Sequence, residues 1–186
     1  MTRPKLNGAE SLVHTLVAHG LTTCFANPGT SEMHFVAALD RIPGIRCIPG
    51  LQENVVTGMA DGYARVSGGP AVNLLHCGPG LANGLANIHN AKKARVPMLN
   101  IVGDQATYHK GFNPPLAQDT QALAKTVSHF VKTSRTAKHV GRDAAETIRA
   151  ARCIRSAGSP RRPPLDVPSP PPRYACSIGR CPTSSP

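Results

Sequence analysis

The stretch LQENVVTGMADGYAR, Leu51 to Arg65, sets one acid, Glu53, at the start of a helical pattern just after the apolar run Cys47, Ile48 and Leu51. An acid in that position lies at a strand's carboxyl end, the rim where open α/β sheets bind their ligands. A carboxylate there can exchange a proton with a bound group. A surface or capping glutamate is the alternative reading, because an acid in a first turn also satisfies the helix dipole. Behind Glu53, Val55, Val56, Met59, Ala60 and Tyr63 recur at helical spacing. Gly58 and Gly62 stand four apart and share one face. Each glycine costs a helix interior about 1 kcal/mol relative to alanine, so the pair predicts a buried face that another backbone approaches closely.

Two glycine–proline turns fall in equivalent places. Asn27-Pro28-Gly29-Thr30 follows a short strand, Thr22 to Ala26, and precedes a helix over Ser31 to Leu39. Gly78-Pro79-Gly80 follows the apolar strand Ala71 to Cys77 and leads into a helix from Leu81 to Ala94. Both turns thus share one sheet edge with Glu53.

The elements that position them alternate regularly. Asn7 with Glu10 reads as a capping box for a helix through Leu12, Val13, Leu16 and Val17, closed by Gly20. Gly44 to Ile48 and Pro97 to Val102 read as further strands. Gly111 to Asp119 is loop-like, Thr120 to His129 and Asp143 to Arg152 are helical, and VKTSR, Val131 to Arg135, is a candidate additional strand. Near-continuous apolar strands between helices predict a three-layer α/β fold, a mostly parallel sheet covered on both faces.

Composition narrows the class. With 186 residues there is room for one domain with a proper core. No apolar run approaches the roughly 18 residues of a membrane span, and the first residues lack a secretory core. A cytoplasmic protein is expected. Cys24, Cys47 and Cys77 fall in predicted strands as small apolar groups, and Cys153, Cys176 and Cys181 lack the spacing of a zinc site. No metal site is expected from this pattern. The net charge is +11, but its basic residues are scattered, with Lys92, Lys93 and Arg95 the only tight group. That predicts a solvated basic surface rather than a nucleic-acid footprint.

Residues 153–186 differ from everything before them, holding nine of the 18 prolines and five arginines against one acid. Ordering this segment would cost on the order of 50 kcal/mol in backbone entropy, which its few apolar side chains cannot offset. The expected organisation is therefore a domain over residues 1–152 and a disordered tail over 153–186. The change interrupts a helical pattern, which suggests a shifted reading frame or a truncation. The coding DNA tests that idea, which fails if no single-base shift restores an α/β continuation.

With these residues in place, the first 152 positions resemble the N-terminal, pyrimidine-binding domain of thiamine-diphosphate-dependent enzymes. The nearest likeness is to acetolactate synthase large subunits and benzoylformate decarboxylases. It runs through CFANPGTSEMHFVAALD, the Glu53 helix ending ADGYAR, HCGPGLANGLANIHNA, PMLNIVGD and VSHFVKTSRTA. The resemblance implies that Glu53 hydrogen-bonds a ring nitrogen of the cofactor's aminopyrimidine and so assists proton loss from the thiazolium carbon. The cofactor then carries the decarboxylation of a small 2-oxo acid.

Other positions carry over more loosely. Gly78, Pro79, Gly80 and Asn83 match the turn beside the pyrimidine, with a purely structural turn as the alternative. Asn27, Pro28, Gly29 and Thr30 match a loop near the substrate, or simply cap a helix. His76 matches a catalytic histidine of benzoylformate decarboxylases that acetolactate synthases generally lack, and a strand-end histidine is the plain alternative. Gln105 and Gln118 are weaker matches.

The resemblance covers about four fifths of this chain, but only the first third or so of a family enzyme. Family members add a central domain and a diphosphate domain that holds magnesium. The pyrimidine domain of one subunit meets the diphosphate domain of another. Little autonomous activity is therefore expected; the exposed half-pocket implies a homo-oligomer, or a diphosphate-domain partner that completes the site. A separately encoded subunit and a non-catalytic basic binding module are the alternatives.

Overall fold

The computed structural model describes residues 6–153. Helix α1, Gly8–Ala18, opens on the expected capping box: the Asn7 side chain accepts the Glu10 N–H at 2.8 Å, and the Glu10 carboxylate accepts the Asn7 N–H at 3.0 Å. Strand β1, Thr23–Asn27, leads through a 3₁₀ turn, Thr30–Glu32, into α2, Met33–Arg41. Strand β2, Arg46–Pro49, precedes α3, Glu53–Ser67, which stops at left-handed Gly68. Then follow β3, Ala71–Leu75; α4, Cys77–Lys93; β4, Met98–Val102; α5, Thr120–Val127; and α6, Val140–Cys153.

The four strands lie in the order β2-β1-β3-β4, and every pairing is parallel. Alternate residues of β3 feed two cores. Ala71 and Leu75 join Val56, Ala60, Leu81, Ile88 and Ala124 beneath α3, α4 and α5. Val72 and Leu74 join Val13, Leu16, Phe35, Leu39 and Ile148 beneath α1, α2 and α6. All five residues of β3 are buried, which is why it reads as a near-continuous apolar run; its one polar residue, Asn73, donates to Asn100 at 2.7 Å. Each fully buried Leu, Ile or Val contributes about 1.5–3 kcal/mol, so both helical layers are held by the sheet between them. This is the three-layer parallel architecture expected. The outer strand β2 is short, largely exposed and ends in Pro49, features that suit an edge.

Four details depart from expectation. Helix α4 begins at Cys77 rather than Leu81, so Gly78-Pro79-Gly80 forms its first turn. Proline is tolerated there because first-turn N–H groups have no intrahelical acceptor. VKTSR forms no strand, and among the described residues the sheet ends at β4. Its polar groups turn to α6 instead: Ser134 donates to Asp143 at 2.9 Å and Lys132 to Glu146 at 2.7 Å. A cleft of about 280 Å³ separates the segment from β4. The two glycines of α3 do not share a buried face: Gly62 is exposed, and a Cβ there would meet nothing within 4 Å. Only Gly58 is approached, by the Asn87 side chain of α4 rather than by backbone. Finally, Cys77 opens α4 instead of closing β3, and Cys47 on β2 is exposed. The proline-rich segment falls outside the described residues, apart from Cys153 at the end of α6.

Asp143, 4% exposed, ties α6 to the segment before it. Burial pushes its carboxyl up, but hydrogen bonds from Ser134 and Arg142, with the charges of Lys132 and Arg142, more than offset this and hold it below its usual 3.8. A carboxyl whose folded value is depressed stabilises the fold above the unfolded value and loses that contribution as pH falls through the folded one. Asp143→Asn should therefore lower the urea midpoint at neutral pH. It should also flatten the loss of stability below about pH 4. An acid limb identical to the wild type's would refute this assignment.

Candidate functional site

The chain steps from β1 to β2 on one side and returns to β3 on the other side of β1. The crevice beyond the carboxyl ends of β1 and β3 is thus a topological switch point, the favoured ligand position in such sheets. Asn27-Pro28-Gly29-Thr30 leaves β1 at this point, and His76 to Gly80 leaves β3. Glu53 enters from the start of α3.

Glu53 is buried, 8% exposed. The capping task falls to its neighbour: the Gln52 side-chain oxygen accepts the N–H groups of Asn54 and Val55 at 2.6 and 3.2 Å. Freed from capping, the Glu53 carboxylate turns inward, where Oε2 accepts from Asn83 Nδ2 at 3.0 Å. Its other oxygen, Oε1, lies only 2.9 Å from where a Cβ on Gly80 would stand, and His76 Cβ lies 3.3 Å from the same point. Gly80 is therefore the hub at which the loop after β3 meets the acid, and a side chain there would fill the cradle in front of the carboxylate.

A second cluster adjoins the first. His76 Nδ1 lies 2.7 Å from Glu32 Oε2, and the Gly29 N–H donates to the same oxygen at 2.8 Å. A Cβ on Gly29 would stand 2.3 Å from the imidazole, so glycine is what lets the two loops close. Glu32 is 3% exposed and was not singled out from the sequence. Cys77 follows His76 at a left-handed φ of 49°. Its Sγ lies 3.3 Å from Ser31 Oγ and 3.9 Å from Glu32 Oε1. Burial pushes this thiol up; the Ser31 hydrogen bond opposes the rise, and the charges of Glu32 and Asp104 add to it.

The remaining candidates divide. Asn27 donates from Nδ2 to the Gly50 carbonyl at 2.7 Å, tying the end of β1 to the turn before α3. Pro28 and Thr30 are exposed, and Pro79 is half-buried. Gln118 reaches Gly78, where a Cβ would stand 2.4 Å from its Oε1. Gln105 turns away, donating to the Pro115 carbonyl at 3.3 Å.

A doubly wound parallel sheet with a buried helix-start acid at its switch point, framed by two glycine–proline loops, defines an α/β cofactor-binding domain. The sequence profile described as "Thiamine pyrophosphate enzyme, N-terminal TPP binding domain" matches residues 6–129, and the chain belongs to this family. It is 58% identical over 147 residues to the provisionally named acetolactate synthase large subunit IlvX of Mycobacterium tuberculosis, covering 79% of this chain and 28% of that protein. It is 37% identical over 134 residues to benzoylformate decarboxylase of Pseudomonas aeruginosa, covering 72% and 25%. Among solved structures, the thiamine diphosphate-dependent 4-hydroxybenzoylformate decarboxylase of Rhodococcus jostii RHA1 superposes with a TM-score of 0.74 at 26% identity, covering 95% of this chain and 32% of that one. The chain thus spans a third or less of the length of these relatives. No helix among the described residues is long and apolar enough to cross a membrane.

Proposed function

We propose that this chain supplies the pyrimidine-side half of a thiamine-diphosphate site for a 2-oxo-acid decarboxylase or carboligase of acetolactate synthase type. The observation that carries this reading is the buried Glu53 carboxylate, with one oxygen engaged by Asn83 and the other facing the Gly80 cradle. That arrangement fits an aminopyrimidine. A flat ring can lie against glycine backbone while one ring nitrogen meets the free carboxylate oxygen. In this reading Glu53 holds or yields a proton at that nitrogen. Gly78, Pro79 and Gly80 form the wall against the ring, and Asn83 keeps the carboxylate oriented. His76 and the Asn27–Thr30 loop face the 2-oxo acid named in the relatives' activities. When bound, thiamine diphosphate supplies the carbon nucleophile and the electron sink for loss of carbon dioxide.

In this reading the described residues hold only the pyrimidine side, so a diphosphate-binding domain completes the pocket. Exposed Leu51, Val55 and Met33, at 97%, 53% and 63%, lie on segments flanking Glu53 and the loop after β1, and suit such a contact.

Titration of the full chain with thiamine diphosphate and magnesium, followed by amide NMR shifts, tests the reading. The expected response centres on Glu53, Gly80 and Asn83. Shifts confined to Lys92, Lys93 and Arg95 would mean that only the diphosphate's charge is recognised, and the proposal would fall.

A further inference from the structure

We propose that Glu32, His76 and Cys77 form a binding site for one zinc-class divalent cation at the rim where β1 and β3 end, with one coordination position open to solvent. The inference goes beyond the thiamine reading: Glu53 is not among the ligands, and His76 is the one residue that both readings use. One donor atom from each of the three residues lies within 4.8 Å of the others, although Glu32 and His76 are 44 positions apart in the chain. Thiolate, imidazole and carboxylate together are the borderline mixture that selects zinc or cobalt over magnesium or calcium.

The three donors lie near enough for one ion to draw them together. Bonds of about 2.0–2.3 Å in a tetrahedral site set donor atoms about 3.3–3.8 Å apart. Here His76 Nδ1 lies 2.7 Å from Glu32 Oε2 and Cys77 Sγ lies 3.9 Å from Oε1, the other oxygen of that carboxylate, and one donor atom from each residue falls within 4.8 Å of the others. A metal would replace the His76–Glu32 hydrogen bond and spread that pair by a fraction of an ångström.

Outer partners are already present. Ser31 Oγ lies 3.3 Å from the sulfur, and the Gly29 N–H holds Glu32 at 2.8 Å. Such contacts orient metal ligands and are commonly needed for affinity. Glu32 and Cys77 are almost wholly buried, whereas the His76 side chain is 22% exposed, so an ion enters beside the imidazole. On binding, the sulfur–hydrogen bond of Cys77 breaks, its electron pair goes to the metal, and the proton leaves to solvent. The cation then balances the buried thiolate and the Glu32 carboxylate together.

Cobalt titration of the metal-stripped full chain provides the test, with zinc added afterwards. One equivalent should raise a near-ultraviolet thiolate-to-cobalt band that zinc bleaches. Cys77→Ala should abolish the band, and His76→Gln and Glu32→Gln should each weaken binding by at least tenfold. Ser31→Ala should cost about tenfold. Each variant is checked for an unchanged fold by circular dichroism, with Cys77→Ser as the substitute should Cys77→Ala fail to fold. No band in the wild type, or a band that survives loss of the Cys77 sulfur, overturns the site. Glu53→Gln should leave the titration unchanged while removing the thiamine response, so the two readings fail separately.

Discussion

Replacing Glu53 by glutamine should leave the domain folded and reduce thiamine-dependent turnover of a 2-oxo acid by about 10²- to 10⁴-fold, the usual worth of a positioned proton-transfer group. The assay is decarboxylation by this chain completed with a diphosphate domain, because the chain spans a third or less of its relatives. Glutamine keeps the length and shape of the side chain, so the packing against Gly80 survives. It cannot take up or release a proton at the ring nitrogen. One consequence is specific to this geometry: Asn83 now donates to a carboxylate oxygen, and a glutamine can meet it only by presenting its own carbonyl. That choice leaves the amide NH₂ facing the ring. The loss should therefore fall mainly on kcat, with KM for the 2-oxo acid little changed. A variant with near-normal kcat would remove Glu53 from the chemistry and return it to the role of a buried structural acid.

The capping box at Asn7 and the strand–helix alternation were legible because they depend on near neighbours and on periodicity. The convergence of Glu53 with the two glycine–proline turns followed from parallel topology, which sends every strand's carboxyl end to the same edge. Glu32 was not legible. In CFANPGTSEMHF it reads as one more first-turn acid, and its partner His76 lies 44 residues away. Nothing local marks it as turned inward to accept the Gly29 N–H. Gly103 was equally silent, because a glycine needed for space looks in sequence like a glycine needed for a turn. VKTSR misled for the opposite reason. Its composition suits a strand, yet Lys132 and Ser134 find acceptors on α6, and pairing with β4 is not made. In α3 the apolar spacing over-read the buried face, since it counted Val55, which is half exposed.

Gly103→Ala should destabilise the domain by about 2–3 kcal/mol, the cost of breaking hydrogen bonds to a buried charged group. Gly103 follows β4, and its N–H donates to the Leu75 carbonyl at 3.1 Å, so the backbone is held by the sheet. An ideal Cβ there would fall 1.4 Å from Glu32 Oε1 and 2.4 Å from the carboxyl carbon, an overlap rather than a tight contact. The flexible end of a surface glutamate would swing away cheaply. Glu32 is 3% exposed and is held by the Gly29 N–H and His76, so leaving strands both partners. The urea midpoint should fall with an unchanged m value. A double-mutant cycle isolates the cause: once Glu32→Ala has removed the carboxylate, adding Gly103→Ala should cost almost nothing. If the cost of Gly103→Ala were the same in both backgrounds, the glycine would be serving the backbone of β4 instead, and the close fit between β4 and the Glu32–His76 pair would have no energetic weight.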